Sequence, residues 1–247
     1  MRKYIVFSVI TLGLIGLLIY LYLPDKPVDE ILVISESHYI LYEPDMTIGI
    51  KFFSSRKQLI KKTDIDGGFI QNGDHSLKFL LVDLNIEKIH DERFLDTLYF
   101  GYELQFKLPE ITDSYYMEEL FLRLKIKGEY YELFGGSLYV EYPEMNDKYL
   151  DWYGIEGIKK DVPKLFQILV DVYDVIPIEK IVVGPEIADF FIGSDNVVIQ
   201  IPENKYVFTT TFVKIYTDFG VTYLPNFEYF INYELLSSGF YKGYVIM

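Results

Sequence analysis

The chain begins with a long uncharged apolar segment. Tyr4 to Leu23 contains no charged residue and follows Arg2 and Lys3. About 20 residues of α-helix span about 30 Å, the thickness of the hydrocarbon core of a bilayer. The pattern therefore predicts a transmembrane helix over residues 4–23, so that residues 1–23 form a membrane anchor with a short cytoplasmic N-terminus.

The charges in front of this segment predict its orientation. Positive residues before a span stay in the cytoplasm, so everything from Pro24 onward is expected outside the cell. A cleaved secretory signal is the alternative, but it needs a shorter apolar core and small residues at its end. Leu21, Tyr22 and Leu23 are bulky. We therefore expect an uncleaved signal anchor and a single-pass protein of the cell membrane.

After a linker rich in proline and acidic residues (24–30), residues 31–143 read as strands. Apolar residues alternate with polar ones, or run together over strand lengths, between turn signals. Gly135 and Gly136 are interpreted as a two-residue hairpin turn. The predicted strands cover residues 31–34, 39–42, 47–53, 76–86, 98–106, 120–126, 129–134 and 137–142. This spacing is typical of an immunoglobulin-like β-sandwich, although the Cys…Trp…Cys pattern of antibody domains is absent.

One segment of this region fits two interpretations. Met117 to Lys127 can be drawn as a helix, because Leu120 and Leu124 would share a helical face. Alternate apolar positions from Leu120 to Ile126 fit a strand better.

The last third of the chain predicts a mixture of helix and strand. Residues 144–160 are polar and are interpreted as a connection, and residues 161–247 as an α+β domain. A helix is predicted from about Val162 to Ile176, and a short one from Gly184 to about Ile192. The connection between the strands Ile178–Val183 and Val197–Ile201 is long enough for a crossover to a parallel strand. Further strands are predicted at 206–216, 221–224, 227–233 and 240–246. The expected fold class is mainly β with some α.

Composition and charge exclude several classes of protein function. Half of the residues are apolar, which rules out disorder as the main state. The net charge of -14 argues against binding nucleic acid or anionic lipid surfaces. The chain contains no cysteine, which excludes disulfides, thiolate nucleophiles and cysteine-ligated zinc.

The sequence contains no recognisable catalytic motif. The three histidines, His38, His75 and His90, have no partner at a zinc-site spacing, and we expect them at the surface. Nucleophile-elbow, P-loop and dinucleotide-binding motifs are absent. We therefore predict no catalytic or cofactor-binding residue.

One loop resembles a hard-cation site. Asp64, Asp66, Asn72 and Asp74 offer carboxylate and amide oxygens around glycine-rich turns, as Ca²⁺ requires. The spacing does not fit an EF-hand loop, and the same residue types are ordinary turn formers. Calcium is thus the one candidate cofactor.

Two functions compete. The leading hypothesis is a non-enzymatic, membrane-anchored extracytoplasmic binding or adaptor protein, attached through residues 4–23, that docks a protein partner or a membrane complex. The alternative is a membrane-tethered hydrolase of envelope polymers that uses carboxylates as acid and base. A purely structural spacer is a third possibility. A cleft with converging carboxylates of raised pKa would favour the hydrolase, and an exposed apolar patch would favour the binding module.

Overall fold

The computed structural model describes residues 29–94, 97–143, 150–160, 164–174, 176–203, 206, 208–228 and 241–246. The predicted membrane segment 4–23 lies outside these residues. Within them, no helix combines the length and the hydrophobicity needed to cross a membrane.

The described part of the chain is built almost entirely of strands. Its helical content is a single 3-10 turn, Lys62–Asp64. The strands are β1 (Glu30–Ile34), β2 (Glu36–Leu41), β3 (Thr47–Ser54), β4 (Ile65–Asn72), β5 (Lys78–Leu80), β6 (Val82–Lys88), β7 (Glu92–Phe94), β8 (Thr97–Lys107), β9 (Tyr115–Ile126), β10 (Glu129–Glu141), β11 (Trp152–Lys160), β12 (Lys164–Val172), β13 (Ile178–Val183), β14 (Glu186–Ala188), β15 (Phe190–Ile192), β16 (Asn196–Gln200), β17 (Phe208–Thr217), β18 (Gly220–Glu228) and β19 (Tyr241–Val245).

A first lobe packs two sheets around one core. One sheet has the order β19-β1-β3-β8-β6, with β7 on β8, and the facing strands are β2, β10, β9, β4 and β5. Leu104 and Phe106 of β8 meet Leu120, Leu122 and Leu138 of the opposite sheet in a single buried cluster. The alternation in β8 and β9 that predicted strands here is confirmed, including the preference for a strand over a helix in β9.

A second lobe packs a four-stranded sheet, in the order β11-β12-β16-β15, against β13, β14, β17 and β18. Ile168 and Val170 of β12 and Ile199 of β16 face Val213 and Ile215 of β17 in a second buried cluster. The molecule is therefore mainly β and sandwich-like in both lobes.

Strand β2 joins the lobes into one nine-stranded sheet. It pairs in parallel with β10 of the first lobe from Glu36 to Leu41. It also pairs in parallel with β17 of the second lobe, from Glu36 to His38. The chain returns to the first lobe at its end, where β19 pairs antiparallel with β1. Residues on either side of 150 therefore share a continuous sheet.

The predicted helices of the second lobe are wrong. Lys164–Val172 is strand β12, and the segment predicted as a short helix forms β14 and β15. Residues four apart lie on one side of a strand as well as of a helix, so Ile168 and Val172 fit both periods. Val170, which a helix would place elsewhere, is also buried. The α+β part of the expected fold class is corrected to all-β in the described residues.

Three other local features of the structure differ from the sequence-based expectations. Gly135 and Gly136 lie within the single strand β10, where Gly136 has a φ of +110° and the register shifts on both sides. The hairpin turn is instead Lys127 and Gly128, whose φ values of 50° and 89° suit a tight two-residue turn. The predicted parallel crossover is absent, since β13 and β16 belong to different sheets. Trp152–Lys160, predicted as part of a connection, is strand β11.

Candidate functional site

A cavity of about 140 Å³ lies over the strands that join the lobes. The first lobe supplies residues of β2, β9 and β10, and the second lobe supplies residues of β13, β14, β17 and the segment after β16. The residues that line it are Tyr39, Tyr116, Glu118, Ser137, Val183, Glu186, Ile201, Pro202, Glu203, Tyr206, Thr209 and Thr211.

The floor of this junction cavity is a polar part of the nine-stranded sheet. Ser137 Oγ lies 3.3 Å from Ser37 Oγ and 3.3 Å from the Tyr39 hydroxyl. A glycine brings the second lobe close to this floor. Gly184 has a φ of +58°, and a Cβ there would lie 2.5 Å from Cδ2 of the Tyr39 ring. Any side chain at position 184 would push the wall away from the floor.

The junction cavity is acidic and aromatic. Its lining includes three glutamates and three tyrosines, and no Lys, Arg or His occurs among the described residues that form it. Burial raises the pKa of Tyr206 to about 12, and the charges of Tyr39, Glu119 and Glu118 act in the same direction. Burial also raises the pKa of Tyr116, with contributions from Tyr39 and Glu118. Both hydroxyls therefore stay neutral in a region of negative potential.

Thr209 contributes a buried hydroxyl to the residues that line the cavity. Thr209 is only 6% exposed. Its Oγ1 has no hydrogen-bond partner among the described residues. A buried hydroxyl without a partner loses its hydration and gains nothing in return, which costs about 1–3 kcal/mol.

A buried ion pair joins the lobes beside the cavity. Lys214 Nζ of β17 lies 3.0 Å from Glu141 Oε1 of β10, and both side chains are less than 10% exposed. The Tyr139 hydroxyl donates to Glu141 Oε2. Burial lowers the pKa of Lys214, but its hydrogen bond and charge interaction with Glu141 outweigh burial and raise that pKa. Lys214 is thus held as a cation.

A second buried polar group lies on strand β2. Lys51 Nζ lies 3.3 Å from Glu36 Oε1, and Glu36 Oε2 lies 3.8 Å from His38 Nε2. Burial raises the pKa of Glu36 to about 7, although Lys51 opposes the rise. Burial and the charge of Lys51 lower the pKa of His38 to about 4. None of these three residues lines the junction cavity.

An open groove of about 640 Å³, lined by both apolar and polar residues, lies at the edge of the second lobe. Phe166, Ile187 and Phe191 line it and are 41%, 73% and 64% exposed. Strands β14 and β15, which carry Ile187 and Phe191, stand at the ends of their sheets, and the chain passes from one sheet to the other between them. We call this surface the edge groove.

The structure does not bring the four candidate calcium ligands together. Asp64 and Asp66 lie at the start of β4, whereas Asn72 and Asp74 lie at its end. At about 3.3 Å per residue, the eight residues of β4 put roughly 20 Å between the two pairs. The oxygen ligands of a Ca²⁺ ion lie within about 2.6 Å of the ion.

Asp64 and Asp74 make local contacts in turns. Asp64 accepts a hydrogen bond from Lys61 N, and Asp74 accepts one from Ser76 N. The described residues hold no group of three or more His, Cys, Asp or Glu suited to a metal. Calcium binding stays a prediction without a converging ligand set.

The histidines divide into two kinds. His75 and His90 are exposed, as expected, whereas His38 is only 5% exposed. Glu141 and Lys214 are two further buried polar residues that no prediction from the sequence named. Their signal was a single charge inside an apolar strand, Lys214 between Val213 and Ile215, which requires a buried partner.

The sequence matches no protein-family model and no curated protein. Among solved structures, the titin Ig tandem domains A164-A165 match with a TM-score of 0.24 and 8% identity, over 81% of this chain and 95% of that one. A structure of Titin-A168169 matches with a TM-score of 0.21 and 8% identity, over 80% of this chain and 97% of that one. At these TM-scores the likeness assigns no function.

Proposed function

We propose that this chain is a single-pass membrane protein whose two-lobed extracytoplasmic part binds a protein partner through the edge groove. The observation that carries the proposal is the exposure of Ile187 and Phe191, 73% and 64%, which both line the edge groove. Soluble surfaces rarely leave neighbouring large apolar side chains in water, because burying them against a partner is favourable.

The strands under the groove support a particular mode of binding. In the described part of the chain, β14 pairs only with β13, and β15 pairs only with β16. The outer edges of these strands carry backbone groups to which a further strand can add. An extended apolar segment of the partner would gain main-chain hydrogen bonds there, and its alternate side chains would pack in the groove.

The alternative hydrolase receives less support from the carboxyl groups. Acid–base chemistry on a polymer needs two carboxyl groups in a cleft, one of them with a raised pKa. Glu36 has such a pKa, but it is buried against Lys51 and away from the junction cavity. The binding module therefore remains the preferred function.

Site-specific photocrosslinking of the full-length protein in intact cells tests the groove. A photoreactive amino acid replaces Phe191 in one variant and Phe219 in the control. Phe219 is a matched control because it is also an exposed phenylalanine, at 62%, but lies in the turn between β17 and β18. A discrete crosslinked protein at position 191 and none at 219 is expected. Equal crosslinking at both positions, or none at either, would contradict the proposal.

Protease accessibility tests the membrane topology. Arg2 and Lys3 precede the apolar segment, so we expect protease added to spheroplasts to digest the part after Pro24. Digestion that occurs only after the membrane is broken would place this part in the cytoplasm instead.

A further inference from the structure

We propose that the junction cavity is a second binding site, which takes the guanidinium group of an arginine side chain presented by a peptide. It is distinct from the edge groove, because neither Phe166 nor Phe191 lines it. Its chemistry also differs, since exposed apolar side chains mark the edge groove and three glutamates mark the cavity.

The charge of the cavity selects a cation. Glu118, Glu186 and Glu203 line the cavity from strand β9, strand β14 and the segment after β16. All three residues are exposed. A cation that enters gains all three attractions with no positive residue of the described lining to repel it.

The aromatic residues select a flat cation. The rings of Tyr39, Tyr116 and Tyr206 line the same space as the carboxylates. A guanidinium group is planar and weakly hydrated, so it stacks on aromatic faces while it donates hydrogen bonds in its own plane to carboxylates. A lysine ammonium lacks the planar face.

The hydroxyl of Thr209 supplies an observation that does not depend on the charges. It lies in the cavity lining, 94% buried by its 6% exposure, without a hydrogen-bond partner in the described structure. A guanidinium group has five N–H donors, and a hydroxyl oxygen accepts from one of them. The ligand would thus satisfy a group that the folded protein leaves unsatisfied.

The size of the cavity fits this group. A volume of about 140 Å³ is close to that of the engineered cavity of about 150 Å³ that holds benzene. A guanidinium group with part of its side chain fills such a space, whereas a folded peptide segment does not enter it.

Titration of the full-length protein in detergent tests the site. The probe is N-acetyl-argininamide, which represents an arginine within a peptide, and its neutral control is N-acetyl-citrullinamide, which has nearly the same shape. We expect saturable binding of the first, weakened by salt, and none of the second. Free L-arginine should bind less tightly, because its carboxylate meets the glutamates.

Equal binding of the citrulline compound, or no saturable binding of the arginine compound, would overturn the proposal. Tighter binding of free L-arginine would overturn the claim that a peptide presents the arginine side chain.

Charge-removing variants localise the binding. The substitutions Glu118→Gln and Glu203→Gln should each lower the affinity for N-acetyl-argininamide by about threefold to tenfold. This is the range expected for the loss of a partly exposed charge contact. Glu129→Gln is the matched control, since Glu129 is also exposed but lies at the start of β10 and not in the cavity. An equal loss in all three variants would mean that diffuse negative charge attracts the probe, and would overturn the site.

Thr209→Val distinguishes binding from folding. The substitution removes the unpartnered hydroxyl at almost constant volume, so the melting temperature without ligand should stay the same or rise. Affinity for N-acetyl-argininamide should fall by about tenfold or more, the loss of one hydrogen bond to a charged group. A lower melting temperature with unchanged affinity would show that the hydroxyl serves the fold and not a ligand.

Discussion

Glu36 and His38 lie two residues apart on strand β2 and respond to burial in opposite directions. Burial disfavours the charged form of each, so the pKa of Glu36 rises to about 7 and that of His38 falls to about 4. Lys51 opposes the first shift and reinforces the second. At the scale of single residues, the protein thus places two titratable groups where folding changes their proton affinity.

These shifts predict opposite pH dependence of stability in two variants. The pKa of Glu36 is raised on folding, so its contribution is lost as the pH rises from about 4.5 to about 7. The pKa of His38 is lowered, so its contribution is lost as the pH falls from about 6.5 to about 4. In wild type the two largely offset each other.

Glu36→Gln should therefore become less stable toward acid, and His38→Gln less stable toward neutral pH, each by on the order of 1–3 kcal/mol across its window. Urea unfolding at a series of pH values measures both slopes. Slopes of the same sign in the two variants would contradict the assignment.

Strand β12 illustrates how an element depends on its context. Its sequence contains Leu165, Ile168, Leu169 and Val172, which form one stripe on a helix. In the structure, β12 pairs with β11 on one side and β16 on the other. Ile168, Val170 and Val172 then face the core together, and Leu169 is only half-buried. The neighbouring strands select the period of two, because only an extended segment satisfies both of their edges.

Alanine substitutions separate the two periods in β12. Ile168→Ala should lose about 2–5 kcal/mol of unfolding free energy, as is usual for a large aliphatic residue in a core. Leu169→Ala should lose clearly less, because its side chain points away from the buried cluster. Denaturant unfolding of both full-length variants gives the comparison. Equally large losses of stability in both variants would mean that Ile168 and Leu169 are buried together, as on one face of a helix.

At the scale of the whole molecule, the two lobes are connected by strong contacts. Strand β2 belongs to the same sheet as β10 and β17, and the Lys214–Glu141 pair is buried beside it. Gly136 permits the close approach of β10 and β2, since a Cβ there would lie 2.0 Å from Glu36 O. Separating the lobes would break the backbone hydrogen bonds between β2 and β17 and part the Lys214–Glu141 pair.

We therefore expect the lobes to unfold in one cooperative transition. Calorimetry of the wild-type protein should give equal calorimetric and van't Hoff enthalpies. Lys214→Met leaves Glu141 buried without its partner and should lower stability by about 3–5 kcal/mol in that single transition. Two resolved transitions in the wild type would mean that β2 does not couple the lobes.

The sequence by itself determined much of the strand content of this protein. Period-two alternation in β8 and β9 predicts strands without knowledge of any partner, because the alternation itself requires one buried and one exposed face. The acidic composition and the absence of cysteine likewise follow from the residues alone. The anchor over residues 4–23 and the orientation of the chain stay predictions from the same kind of pattern.

Only the tertiary structure decided what the strands bring together. The junction cavity takes Tyr39, Thr209 and Glu203 from distant parts of the chain, and no spacing in the sequence relates them. The partner of Lys214 is likewise 73 residues away in Glu141. The apolar residues of β12 fit a helical period of 3.6 and a strand period of 2. Pairing with the edges of β11 and β16 decided in favour of the strand. The local sequence pattern specifies which face of each strand must be buried. The pairing of strands that are distant in the chain determines which residues that face packs against.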